Sequence, residues 1–151
     1  MTFLLDTNVV SEIAKPQPAD QVVQWLKANR GACALASVTV AEMRYGIERL
    51  PDSKRKAALD AKFKFLAEDY ADQLYEFDGP AAFEWGRYVA ELEAEHGAEW
   101  WKTFDLRDTM IAAIAREYGL TVATRNTGHF PFCQTLNPFL ENPSGKLPSA
   151  A

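Results

Sequence analysis

The chain is poor in the residues that build disulfide frameworks and zinc centres. Cysteine occurs twice, at Cys33 and Cys133, and histidine twice, at His96 and His129. Two cysteines do not staple a fold, and so few thiols and imidazoles argue against a Cys/His zinc site. They fit a reduced, cytoplasmic setting. No apolar run approaches the ~20 residues that a membrane helix needs. The first residues, Met1 to Asp6, lack a basic flank and soon meet an acid, unlike a secretory signal. The patterns G-x-x-x-x-G-K-S/T, G-x-G-x-x-G and G-x-S-x-G are missing, which removes support for P-loop, dinucleotide and serine-hydrolase chemistry. Bases are outnumbered by acids, 16 to 21, and the net charge of −5 argues against indiscriminate nucleic-acid binding. A nuclease with a local basic groove stays compatible with that charge.

What is present describes one globular domain. The chain has 151 residues, 48% of them hydrophobic and 25% charged, enough to bury a core. Phe3-Leu4-Leu5 and Cys33-Ala34-Leu35-Ala36 are short apolar runs that read as buried strands. Leu74 to Phe77, Leu120 to Ala123 and Gln134 to Leu136 are further strand candidates. Between them lie segments of helical spacing. Asn8 to Lys15 stops at Pro16, and Val22 to Leu26 ends near Gly31. Val40, Met43, Ile47 and Leu50 follow a Ser37 or Thr39 cap, and Leu59, Phe63, Leu66 and Tyr70 follow a Ser53 cap. Asp78-Gly79-Pro80 starts a helix lined by Trp85, Val89 and Leu92. Residues 98–107 fit either a loop or a frayed helix. Asp108 opens a last helix, closed by Gly119. The alternation predicts an α/β fold with a mostly parallel sheet. Residues 1–140 form the domain, and 141–151, with two prolines and two serines, read as a loosely held tail.

In such sheets ligands bind beyond the carboxyl ends of the strands. Asp6 follows the first strand directly, Glu42 lies early in the helix after the second, and Thr124, Arg125 and Asn126 follow the fourth. Asp108 precedes Ile111, Ala112 and Ala115 by three, four and seven positions, so it shares their inward face. A buried carboxylate demands a hydrogen bond, a cation or a metal. Taken singly, Asp108 and Asp6 read as helix caps and Glu42 as a solvated helix residue. Taken together, without an obvious basic partner, they suggest a hard divalent ion, magnesium or manganese.

The segments Leu4-Leu5-Asp6-Thr7-Asn8-Val9-Val10-Ser11-Glu12, Ser37 to Gly46, Asp108-Thr109-Met110-Ile111-Ala112-Ala113, and Thr124 to Phe130 with Asn137-Pro138-Phe139 resemble a PIN domain. Within that family they are similar to the VapC-type toxins of bacterial toxin–antitoxin pairs. The resemblance runs in order from residue 3 to about residue 139. It implies a three-layer α/β/α fold and a magnesium-dependent endoribonuclease in which manganese substitutes. Its acidic cluster maps onto Asp6, Glu42 and Asp108 as metal ligands and catalytic residues. The last block carries Asn126 and His129 where the family often has a further acid. Asn126, Thr124 and Thr7 are then expected to position water or phosphate, with His129 a loop residue.

Hydrolysis in that family needs no protein nucleophile, because water activated by the metal attacks the phosphorus. The resemblance further implies an RNA substrate, a VapB-like antitoxin that offers an arginine to the acids, and a homodimer. Basic residues that could guide RNA are Lys54, Arg55, Lys56, Lys62 and Lys64, the densest cluster and equally a solvated helix face, with Arg44, Arg49, Arg107 and Arg125 elsewhere. Residues 71–99 carry eight acids and one arginine, Arg87, and are expected to face away from RNA. Trp25 and Trp85 are expected in the core. A PIN-like binding module without catalysis and a phosphoacceptor signalling domain are the competing readings. The second lacks an acidic pair near the first strand and a lysine after a late one.

Overall fold

The computed structural model describes residues 1–141. The expected loose tail falls almost entirely on 142–151, outside the described residues. Five parallel strands form one sheet in the order β3-β2-β1-β4-β5. They are β1 (Phe3–Leu5), β2 (Cys33–Ala36), β3 (Leu74–Tyr75), β4 (Thr121–Ala123) and β5 (Thr135–Leu136). The helices are α1 (Thr7–Ile13), α2 (Asp20–Ala28), α3 (Ser37–Glu48), α4 (Lys54–Asp69), α5 (Gly79–His96) and α6 (Leu106–Tyr118). Every strand pair is parallel, so helices cover both faces and the central strands are buried throughout.

The two-residue period of the strands sorts the core into two layers. Leu4, Ala34, Ala36 and Val122 pack with Ala81, Tyr88 and Leu92 of α5 and Ile111, Ala112, Ile114 and Ala115 of α6. Phe3, Leu5, Cys33, Leu35 and Ala123 pack the other way, with Val9 and Val10 of α1, Val22 of α2, and side chains of α3 and α4. The three-layer α/β/α arrangement follows. Trp25 packs edge-on against Phe3 at the margin of the core, and the Trp85 indole donates to Thr109 Oγ1 at 2.9 Å; both are half-buried, and the buried face of α5 is carried by Ala81, Tyr88 and Leu92.

Three local expectations change. Helix α3 starts at Ser37 with Ala36 in the cap position, and neither Ser37 nor Thr39 caps it. The helix springs directly off β2, which leaves the Ser37 hydroxyl to accept the Phe77 N–H at 3.1 Å instead. The segment 98–107 is neither plain loop nor frayed helix. It holds a short 3-10 turn at Trp100–Lys102 and then an ordered helix start. That start is capped by Asp105, whose carboxylate accepts the Arg107 N–H at 2.8 Å, so Asp108 lies inside the first turn and is no cap. At the far end Gly119 takes a left-handed conformation (φ 66°), as the glycine after Tyr118 suggests.

Ile111 is fully buried where α6 meets the sheet. Ile111→Ala is expected to cost about 2–5 kcal/mol in urea unfolding. A loss below about 1 kcal/mol would show that this layer of the core repacks freely.

Candidate active site

The strand order reverses between β1 and β4, the place where open α/β sheets form a crevice. Leu5 pairs with Ala123, and the Asp6 N–H extends the ladder to Ala123 O at 3.0 Å. The next residue on each strand therefore stands side by side with its neighbour, and these are Asp6 and Thr124. Asp6 caps α1, its Oδ1 accepting from Thr7 N at 2.8 Å. Its Oδ2 accepts from Thr124 Oγ1 at 2.8 Å and from Asn8 Nδ2 at 3.2 Å. Thr124, fully buried, also accepts from Asn126 N at 3.1 Å. Asn8 in turn accepts the Arg125 N–H at 3.1 Å, which ties the loop after β4 to α1.

Asp6, Glu42 and Asp108 line one cleft with Thr7, Asn8, Ser11, Glu12, Lys15, Arg125, Asn126 and His129. All three acids are largely shielded, with Asp6 5% exposed and the side chains of Glu42 and Asp108 15% and 18% exposed. Burial is the main force on each, and it disfavours their charge. It raises Asp6 above the usual carboxylate range, against the Thr124 hydrogen bond that lowers it. It raises Glu42 against the lowering pull of Arg107. For Asp108, burial and then the charges of Asp6, Asp105 and Glu42 push the value up to about 7.

Each acid keeps a separate companion. Glu42 Oε2 lies 3.7 Å from Arg107 Nη1, and Asp108 Oδ2 lies 3.5 Å from His129 Nδ1. His129, expected as a loop residue, lies in the loop after β4 and faces the cleft from its 3-10 turn, Thr127–His129. Among the described residues, Thr7 Oγ1 and Glu42 Oε1 are buried and make no well-formed hydrogen bond, although the Thr7 hydroxyl lies near enough to Glu42 to pull its pKa down. Among the same residues, no three His, Cys, Asp or Glu side chains stand close enough to form a ready-made metal centre. The donors are oxygens of the kind magnesium and manganese prefer, and buried orphan oxygens need a cation or water. In chemistry the cleft therefore suits a hard divalent ion that keeps several waters, held by few carboxylates rather than an all-protein cage.

Three residues around the cleft, Asp105, Asn8 and Glu12, were not expected as site residues, whereas Arg107 was among the bases expected to guide RNA. Asp105 acts on Asp6, Glu42 and Asp108 as a like charge, so the cleft feels a fourth acid from the start of α6. Its place one helical turn before Asp108 was the available signal. Arg107 stands beside it. Asn8 and Glu12, four positions apart on α1, share a face. Glu12 is 6% exposed and accepts from Ala19 N at 3.0 Å, with Lys15 Nζ 2.7 Å and Arg125 Nη2 3.7 Å away. The basic cluster on α4 is partly spent locally: Lys56 pairs with Asp52 at 3.4 Å, Lys64 with Asp60 at 3.0 Å, and Lys62 donates to Ala14 O at 3.3 Å.

With this geometry in place, likeness to known proteins decides the family. The PIN domain model matches residues 3–133. The chain belongs to the PIN-domain family. It is 37% identical to toxin FitB of Neisseria gonorrhoeae over 130 residues, 85% of this chain and 90% of the relative. It is 32% identical to the tRNA(fMet)-specific endonuclease VapC of Shigella flexneri, over 86% of this chain and 90% of that protein. The crystal structure of FitAcB from Neisseria gonorrhoeae superposes with a TM-score of 0.79 at 35% identity, covering 91% of this chain and 99% of that one. Among the described residues of this PIN domain, no helix is long and apolar enough to cross a membrane.

The raised value of Asp108 carries a sign. An aspartate ordinary when unfolded, near 3.8, and about 7 when folded binds more protons in the native state between those values. Stability then falls as pH rises from about 4 to about 7. With a chelator present, Asp108→Asn is expected to be more stable than the parent above pH 7, by on the order of 2–4 kcal/mol. The gain should vanish toward pH 4, as thermal unfolding across that range will report. A pH-independent difference would show that Asp108 is not a desolvated acid.

Proposed function

We propose that this PIN domain is a metal-dependent endoribonuclease, the toxin of a toxin–antitoxin pair, acting in the cytoplasm. The observation that carries the reading is the burial of Asp6, Glu42 and Asp108 in one cleft at the strand-order reversal, in a chain whose relatives include a protein named as a tRNA endonuclease. Asp6 and Asp108 would be the principal holders of Mg2+, with Mn2+ able to replace it, and Glu42 would bind a second ion or orient the attacking water. A divalent ion bound there supplies Lewis-acid activation of water and a clamp on the scissile phosphate. Thr124 and Thr7 keep the Asp6 carboxylate aimed. Asn126 and Thr7, which line the cleft, would position water or a phosphate oxygen.

The cleft offers little for the alternative route through the 2′-hydroxyl. That route needs a general base and a general acid, commonly two histidines. His129 lines the cleft, whereas His96 packs edge-on against the Phe104 ring, 4.9 Å between centroids. Attack by water breaks the bond from phosphorus to the 3′ oxygen, which leaves with a proton. The products are then a 3′-hydroxyl and a 5′-phosphate. A cognate VapB-like antitoxin would inhibit by laying an arginine over the acids, since a cation can stand in for metal among crowded carboxylates. The working unit would be a homodimer. Phe65, Phe83 and Trp101 are 70%, 70% and 60% exposed, which leaves apolar surface for such contacts.

Incubation with total RNA, with and without EDTA, tests the reading. Cleavage by the wild type that stops with chelator is expected. Asp6→Asn and Asp108→Asn should each lower it at least about 100-fold while the protein stays folded, because asparagine still accepts at Oδ1 but carries no charge. Full activity in either variant, free of wild-type enzyme, would remove the acidic cluster from the chemistry. End analysis should find 5′-phosphates, and a single 2′-deoxy nucleotide at the cut should still be hydrolysed. A 2′,3′-cyclic phosphate would overturn attack by water even if both aspartates proved essential.

A further inference from the structure

We propose that Arg107 is a phosphate-binding residue at the mouth of the acidic cleft, holding an RNA backbone against carboxylates that would otherwise repel it. The inference rests on the RNA reading above. Asp6, Glu42, Asp108 and Asp105 act on one another as like charges, so a polyanion approaching them meets a negative field. A cation held in place at the entrance changes what the strand meets first.

Arg107 is held in that way. Its Nε donates to Asp105 Oδ1 at 3.1 Å and its Nη2 to Asp105 Oδ2 at 2.9 Å. This two-point grip occupies one edge of the guanidinium and fixes its plane. Asp105 is itself immobilised as the cap of α6, where the same Oδ1 accepts the Arg107 N–H at 2.8 Å. The other edge is open. Nη1 points toward Glu42 Oε2 at 3.7 Å, too far for a hydrogen bond, and makes none among the described residues. The side chain is 52% exposed, so solvent and a ligand reach it. One edge anchored, one edge free and facing a catalytic cleft is the geometry in which a guanidinium presents paired donors to phosphate oxygens without first losing side-chain freedom.

The other cations near the cleft are engaged differently. Lys15 and Arg125 both lie on Glu12, the buried acid of α1, and Arg125 also stacks over the Phe139 ring at 3.8 Å. They neutralise a structural carboxylate. Arg107 makes its hydrogen bonds to the half-exposed Asp105, whose side chain is 44% exposed and whose charge water already screens, and faces the shielded Glu42 only as a charge 3.7 Å away. Binding a phosphate on its free edge breaks neither hydrogen bond to Asp105.

The salt dependence of RNA binding separates this role from a merely structural one. In the Asp6→Asn background, fluorescence anisotropy of a labelled single-stranded RNA is followed from about 50 to about 200 mM KCl. Removing one phosphate contact should reduce the slope of log affinity against log salt by about 0.7. Arg107→Ala and Arg107→Gln are both expected to show that loss, with several-fold weaker binding at low salt. Arg107→Lys should keep the slope, because the charge remains, while binding more weakly for want of the fork. Asp105→Asn should keep the slope as well. An unchanged slope in folded Arg107→Ala and Arg107→Gln, with the parent binding RNA, would overturn the assignment of Arg107 alone. No RNA binding by the parent at low salt would overturn the RNA reading and this inference with it.

Discussion

The cleft depends on the hydrogen bond from Thr124 Oγ1 to Asp6 Oδ2, 2.8 Å long, between the residues that end β4 and β1. It is buried, it joins positions far apart in sequence, and it lies at the one place where the strand order turns back. A carboxylate there is costly unless its lone pairs are met. Thr7, Asn8 and Thr124 meet those of Asp6, and each of these donors is placed by something else: the start of α1, the Asn8–Arg125 contact, the β1–β4 register. Loss of the register would strand a buried acid, so fold and site stabilise or fail together.

Around this fixed acid the others are held apart by cations and polar neighbours. Arg107 stands by Glu42 and Asp105, His129 by Asp108, Lys15 and Arg125 by Glu12. The cleft is therefore a set of acids with companions, not a preformed cage. In the proposed role, a divalent ion and an antitoxin's arginine would compete for the same oxygens. Burial and three like charges in the same cleft push Asp108 up to about 7.

Much of the plan is legible in local pattern. Short apolar runs at 3–5 and 33–36 are strands because both faces are covered, and the spacing of Val22 to Leu26 and of Trp85 to Leu92 is helical because one face is buried. The place of Asp6 in the cleft was legible because it follows a strand directly. The start of α6 was not. Asp105 and Asp108 are both plausible caps, and only the backbone direction out of the Trp100–Lys102 turn gives the cap to Asp105 and turns Asp108 inward. Asp105 was missed for the same reason, and Arg107 was legible only as one base among several.

The alternation of strands and helices, the parallel sheet and the acids at its carboxyl edge follow from hydrophobic period and from residue type at strand ends alone. The family resemblance was legible in the sequence too, because its blocks keep their order along the chain. Tertiary structure decided which groups face one another across the cleft: Thr124 with Asp6, His129 with Asp108, Arg107 with Glu42. Those pairs join elements brought together by strand order and helix packing. Charge and hydrogen-bond partnership act over a few ångströms of space, a distance that separation along the chain does not encode.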